Sequence, residues 1–278
     1  MFRGFYTAAS GMIAQQRRTE MLSNNMSNAN TPGYKADQTS LRAFPEMLLQ
    51  RLDQVSVPGK QKVSLPSNVT IGSVNTGVYM QETMPGFSQG DLRETGLATD
   101  VALLDVNMPV NEDTGQAGTV FFKVQGEDGV ERYTRNGNFT VDAAGFLTAA
   151  SGSYVLDSEG NRIQLNSDQV AISDTGEITA EGEPAGQLGV AFAENPYLLI
   201  KEGNGLFRLE DGELPDAVEG ENMQFRMQRG FLEASTTDTT RTMTDMMSAY
   251  RVFEANQKVL TAYDRSMEKA ANEVGRVN

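Results

Sequence analysis

Chain-breaking residues are confined to the middle of this sequence. Of its 27 glycines, 22 fall in residues 66–235, four in residues 1–65 and one in residues 236–278. The first proline is Pro32 and the last is Pro215. Inside a helix, glycine costs about 1 kcal/mol and proline about 3 kcal/mol relative to alanine. Long uninterrupted helices therefore belong to the two ends, while the centre must turn often.

Both ends carry the matching hydrophobic pattern. From Phe5, the positions Ala8, Met12, Gln15, Thr19, Leu22, Met26 and Ala29 follow at spacings that alternate 3 and 4. That is a heptad stripe on a helix of about seven turns. The sequence Asn30-Thr31-Pro32-Gly33 stops it, because the residue before a proline avoids the helical region. At the other end the stripe is Met243, Met246, Tyr250, Phe253, Gln257, Leu260, Asp264, Met267, Ala271 and Val274, with Val252, Val259, Tyr263 and Ala270 beside it. Ser235-Thr236-Thr237-Asp238 has the form of a capping box and can start this helix, which would run to about Gly275. Such stripes have two explanations: each helix folds onto its own domain, or the helices form a coiled coil between chains. Their presence at both ends favours the second.

The centre reads as β. Segments 120–124, 131–134, 138–141, 154–156, 170–172, 188–192 and 206–209 are strand-like. Asp142-Ala143-Ala144-Gly145, Asp157-Ser158-Glu159-Gly160 and Asp174-Thr175-Gly176 separate some of them, as hairpin turns do. Residues 35–65 show no clear period and read as a linker or extended arm. The expected segments are an N-terminal helix with its Asn-rich turn (1–34), the arm (35–69), a β domain (70–234) and a C-terminal helix (235–278).

Charge follows the same partition. Residues 1–65 have 8 Lys/Arg and 4 Asp/Glu, residues 66–235 have 9 and 27, and residues 236–278 have 6 and 6. An acidic centre of net −18 argues against nucleic-acid binding, which needs a basic stripe, and against anionic lipid. No apolar run approaches the roughly 20 residues that span a bilayer, and Thr7, Ser10 and Gln15 break any secretory signal at the N-terminus. The chain has no Cys and no His. Thiolate metal sites, Cys nucleophiles, Ser-His-Asp triads and the usual neutral-pH general base are excluded. A catalytic pair among the 27 central carboxylates is conceivable, but many of them sit in turns. Asp157–Asn161 lacks the spacing and the distal Glu of a calcium loop. No catalytic, cofactor-binding or metal residue is expected.

One motif asks for a special explanation: Asn24-Asn25-Met26-Ser27-Asn28-Ala29-Asn30-Thr31-Pro32-Gly33-Tyr34. Asparagine suits a helix poorly. The segment is either a fraying helix end followed by a turn, or an assembly face where Asn side chains bridge neighbouring helices. An export signal is a third role that the residues do not separate from assembly.

Ser10-Gly11-Met12 followed by Asn24–Lys35 resembles the N-terminal signature of bacterial flagellar basal-body rod and hook proteins. Gln89–Gly96 with Asp100–Leu103 resembles that family's entry into its β domain. Tyr133-Thr134-Arg135-Asn136-Gly137-Asn138-Phe139, then Gly145-Phe146-Leu147, resembles its central hairpin. Gly230–Ser235 and Tyr250–Lys258 resemble its C-terminal signature. The blocks stand in family order across nearly the whole chain, and the length is most similar to the distal-rod, or hook-basal body, branch.

The resemblance implies a structural subunit rather than an enzyme. Its fold would be a mainly β, hairpin-rich centre flanked by long terminal α-helices that form an intermolecular coiled-coil tube. It implies helical polymerisation that transmits torque, contact with other rod and hook proteins, and export across the inner membrane by the flagellar export apparatus without a cleaved signal. The expected assembly residues are Phe5, Met12, Leu22, Asn24, Asn25, Met26, Asn28, Asn30, Pro32, Gly33 and Tyr34 at one end, with Met246, Tyr250, Phe253, Leu260, Met267 and Val274 at the other. Stacking near-neutral helices on an axis costs less than stacking −18 bodies there. The rival readings are a carboxylate-dependent cell-wall hydrolase and a secreted β-rich adhesin.

Overall fold

The computed structural model describes residues 3–57, 63–111, 115–126, 128–165, 170–180, 182–210, 212–217 and 223–274. The chain forms two compact units, Met1–Ser23 with Thr39–Thr83 and Met243–Asn278, and Asn24–Gln38 with Met84–Thr242.

The first unit is built on two helices, α1 (Arg3–Ser27) and α2 (Thr239–Lys269), the latter continued by a π-helical turn, Ala270–Val274. Two sequence expectations shift at the helix ends. The start of α2 is capped by the Asp238 carboxylate, which accepts from the Arg241 amide at 3.0 Å, not by Ser235. The expected end at Gly275 lies outside the described residues. Helix α1 stops at Ser27, before Pro32, because Asn28–Thr31 are taken into turns.

The helices are antiparallel partners within one chain. A Cβ on Gly4 would fall on the Tyr263 hydroxyl, and one on Gly11 would lie 2.9 Å from the Asn256 amide. Arg18 faces Asp245 at 4.0 Å. Residue numbers rise along α1 as they fall along α2. Small residues let the helices meet: Ala8, Ala14 and Ala249 are buried. Part of each stripe is therefore covered by the other helix of the same chain.

Four strands complete this unit: β1 (Asp37–Ala43), β2 (Met47–Val57), β3 (Val63–Val74) and β4 (Val78–Pro85), with β1 paired to β4 and β2 to β3. The β2–β3 ladder runs from Met47↔Val74 to Val57↔Val63, with one irregularity after Leu49. The expected arm thus contains extended, paired backbone. It shows no sequence period because residues 41–50 are exposed throughout, so no buried face imposes alternation. Among the described residues no helix is long and apolar enough to cross a membrane.

The second unit is mainly β. It contains β5 (Leu92–Glu94), β6 (Val101–Asn107), β7 (Thr119–Gln125), β8 (Glu131–Thr134), β9 (Phe139–Val141), β10 (Leu147–Ala149), β11 (Tyr154–Val155), β12 (Val170–Ile172), β13 (Glu177–Ala180), β14 (Glu183–Gln187), β15 (Val190–Ala193), β16 (Leu199–Lys201), β17 (Leu206–Leu209), β18 (Gln224–Arg229) and β19 (Phe231–Glu233). The main sheet has the order β16-β17-β8-β7-β11-β10-β9, with β15 also on β7. Smaller sheets are β12-β13-β14, β6-β18 and β5-β19.

Strand β7 explains the core. Val120, Phe122 and Val124 enter one apolar cluster with Val101, Leu103, Phe139, Leu147 and Ile178. Phe121, on the opposite face, enters a second with Tyr133, Ala191, Leu199 and Phe207. A strand covered on both sides has no polar face, hence the continuous Val-Phe-Phe run. Each fully buried Val, Leu, Ile or Phe contributes about 1.5–3 kcal/mol. The Asp/Gly turns behave as plain hairpin turns. Asp157 Oδ1 accepts from the Glu159 and Asn161 amides, both at 2.8 Å, and Asp142 Oδ1 does the same for Ala144 and Phe146.

Candidate functional site

The Asn-rich motif closes on its own unit. Beyond α1, the amide of Ala29 bonds to Met26 O and that of Thr31 to Asn28 O, so the chain coils through tight turns. The Asn28 amide group donates back to Asn24 O at 3.0 Å, and its Oδ1 accepts from the Thr31 hydroxyl at 3.2 Å. Gly33 then takes φ 67°, a left-handed conformation that a residue with a Cβ resists. This brings Tyr34 back against the last turn of α1. Its hydroxyl is 2.8 Å from Asn24 Oδ1 and 3.1 Å from Asn25 Oδ1. Asn25 is buried and serves as a substitute strand partner for Asp37, donating to its carbonyl at 2.8 Å and accepting from its amide at 2.9 Å. Burial, aided by the Asp37 charge, raises the Tyr34 hydroxyl above the ordinary tyrosine range. Lys201 sits 4.0 Å above the Tyr34 ring and donates to Asp37 Oδ1 and Lys35 O.

The next residue, Lys35, enters a buried ion cluster. The side chains of Lys35, Glu233 and Arg135 have no exposed surface. Glu233 accepts from Lys35 Nζ at 2.6 Å, from Arg135 Nε at 2.8 Å and from the Gly90 amide at 2.7 Å. Arg135 also reaches Asp105 at 3.0 Å, Val120 O at 2.7 Å and Gln89 Oε1 at 2.9 Å. Lys35 has a further partner in Ser88 O at 2.7 Å. Two cations face two carboxylates, and the donors find acceptors, as buried charges require. Burial pushes Glu233 upward, but Arg135 and Lys35 override it and hold the carboxyl below its usual range. Burial and the Arg135 charge pull Lys35 below its own usual range. These carboxylates are consumed by ion pairing. The cluster can hold four chain segments together, and it offers no free general base or nucleophile.

The other expected residues fall into three groups. Leu22 is buried, while Phe5, Met12, Met26, Met246, Phe253, Leu260 and Met267 are half-buried. Tyr250 is 56% exposed, and Tyr6, Ile13, Met243, Met247, Val252 and Val259 are exposed with it. Asn30 and Pro32 line a cleft of about 400 Å³ with Arg93, Glu94, Thr95 and Leu232. The Val274 side chain lies outside the described ones. The side-chain polar atoms of Asn25 and the Tyr34 hydroxyl are engaged within this chain.

The ion cluster was absent from the sequence expectations. A signal for it existed: Lys35, Gln89, Arg135 and Glu233 each lie inside one of four motif blocks, which makes them candidates for matched charges. Nothing in the sequence showed that those blocks meet.

The comparisons with known proteins agree with one another along the chain. The family described as "Flagella basal body rod protein" matches residues 5–35. "Flagellar hook protein FlgE/F/G D1 domain" matches 117–180, and "Flagellar basal body rod FlgEFG protein C-terminal" matches 228–273. The chain is 46% identical over 278 residues to the flagellar hook-basal body complex protein FlhO of Bacillus subtilis, covering 100% of both. It is 30% identical over 281 residues to the flagellar basal-body rod protein FlgG of Borreliella burgdorferi, covering 98% of each. It is 28% identical over 290 residues to FlgG of Bacillus subtilis, covering 98% of this chain and 99% of that one.

Proposed function

We infer the function from family membership: this chain belongs to the flagellar basal-body rod and hook-basal body proteins. It is a structural subunit of the flagellar basal body and not an enzyme. Neither the wall-hydrolase nor the adhesin reading has support.

The finer reading is a distal-rod-like subunit that polymerises helically, with α1 and α2 on the inside and the β unit outside, and transmits torque. One observation carries it. Helix α2 leaves Met243, Met247, Tyr250, Val252 and Val259 exposed even after pairing with α1, and α1 leaves Tyr6 and Ile13. Burying such side chains gains about 25 cal/mol per Å² of apolar surface, which a neighbouring copy supplies. Charge supports the arrangement. The helical unit has 12 Lys/Arg and 9 Asp/Glu, net +3, and the β unit 11 and 28, net −17. Near-neutral units pack around an axis at lower electrostatic cost than acidic ones.

In this reading the exposed half of the α2 stripe, with Tyr250 at its centre, makes contacts between copies. Met246, Phe253, Leu260 and Met267 instead serve the pairing within the chain. Other rod and hook proteins are the neighbours at the ends of the polymer, and the flagellar export apparatus delivers the chain without cleavage. Tyr250→Asp in the full-length chain tests it. Polymers seen by electron microscopy should be lost while the β unit keeps its melting temperature; intact polymers would refute the interface.

A further inference from the structure

We propose that the buried ion cluster is a completion latch: the segment Asn24–Gln38 closes on the β unit only after Phe231–Thr236 has docked. The proposal rests on the reading of α1 as an assembly helix, because the latch holds that helix's last turn.

Four contacts carry it, and all tie residues 33–36 to residues 233–236. The Gly33 amide donates to Glu233 O at 2.8 Å, and the Thr236 amide donates to Tyr34 O at 3.1 Å. The Ala36 amide donates to the Thr236 hydroxyl at 2.9 Å, and Lys35 Nζ donates to Glu233 Oε1 at 2.6 Å, across 198 positions of sequence. Residues 33–36 thus take backbone partners from the far end of the chain. Without Glu233, the buried Lys35 and Arg135 ammonium and guanidinium groups would share only Asp105. Two like charges out of water against one carboxylate oppose closure.

The core does not share this dependence. β19 pairs with β5, outside the main sheet, and the buried members of both apolar clusters lie within residues 101–227. The β core can therefore fold while the latch stays open. A partly delivered chain would have a folded core, an unanchored N-terminal helix and no assembly geometry.

Hydrogen exchange on the full-length monomer tests this. Glu233→Gln keeps the shape and removes one charge. Amides of residues 24–38 should lose protection by roughly 100- to 1,000-fold, the factor that an uncompensated buried charge imposes, while β7 and β11 amides keep theirs. Lys35→Met/Glu233→Gln leaves Arg135 matched to Asp105, and it should recover at least about tenfold of the loss. Three results overturn the latch: unchanged protection in Glu233→Gln, no recovery in the double variant, or loss of core protection together with residues 24–38. None of these readouts depends on polymer formation. Failure of the assembly reading would appear separately, as unchanged polymers of Tyr250→Asp.

Discussion

Gly33→Ala should be among the most damaging single-methyl changes in the β unit. Gly33 has φ 67°, and its absent Cβ would stand 2.5 Å from both the Arg135 carbonyl oxygen and the Asn136 nitrogen. Those atoms are backbone, so no side chain can rotate away. The left-handed conformation costs a residue with a Cβ about 1–2 kcal/mol. Forcing backbone apart in a packed site adds about 1–3 kcal/mol. The sum is about 2–5 kcal/mol, or about 4–20 °C in melting temperature for a unit of this size. Gly152→Ala is the internal control: Gly152 has φ 84° but open space around it, so only the conformational cost applies. Equilibrium urea unfolding followed by far-ultraviolet circular dichroism measures both, and the absence of Trp makes circular dichroism the better probe. If Gly33→Ala is no more destabilising than Gly152→Ala, the close approach of the two backbones is wrong.

Asn25→Ala should cost about 1–3 kcal/mol in the β unit, because the Asp37 amide and carbonyl lose their partner; a more stable unit would mean that Asn25 only frays a helix end. Alkaline stability should depend on Tyr34. Burial, then the Asp37 charge, raises its folded pKa, while the unfolded phenol ionises near pH 10. Above about pH 10 the folded chain therefore holds a proton that the unfolded chain has released, and stability falls as pH rises. Tyr34→Phe should flatten that fall when compared with the parent at each pH, which also cancels the opposite contribution of the lowered Lys35; parallel pH profiles would refute it.

The sequence showed most of the elements and little of their joining. The helices were legible because heptad stripes with few breakers have few other solutions. β9, β11 and β12 were legible because apolar runs ended in Asp/Gly turns. β2 and β3 were not, since residues 47–50 and 70–73 are exposed and no buried face imposes alternation there. β18 was missed for a different reason: Phe225 and Met227 alternate into the core, but Arg226, Gln228 and Arg229 make the run look polar. The sequence left the Asn motif open between fraying, bridging between chains and export, because its contacts within the chain have no local signature. Asn25 is spent on Asp37 and Asn24 on Tyr34, contacts set by the Gly33 turn that spacing does not encode. Lys35, Arg135 and Glu233 could not be paired, because charge matching over 198 positions has no local signature.

Electron cryomicroscopy of polymers grown from the purified chain decides whether the two helices line the tube. The expected polymer is a tube with α1 and α2 around the axis, Tyr250 and Val259 covered by neighbouring copies, and the β unit of net −17 on the outside. A polymer with its acidic β units at the axis, or with Tyr250 and Val259 still facing solvent, would contradict it.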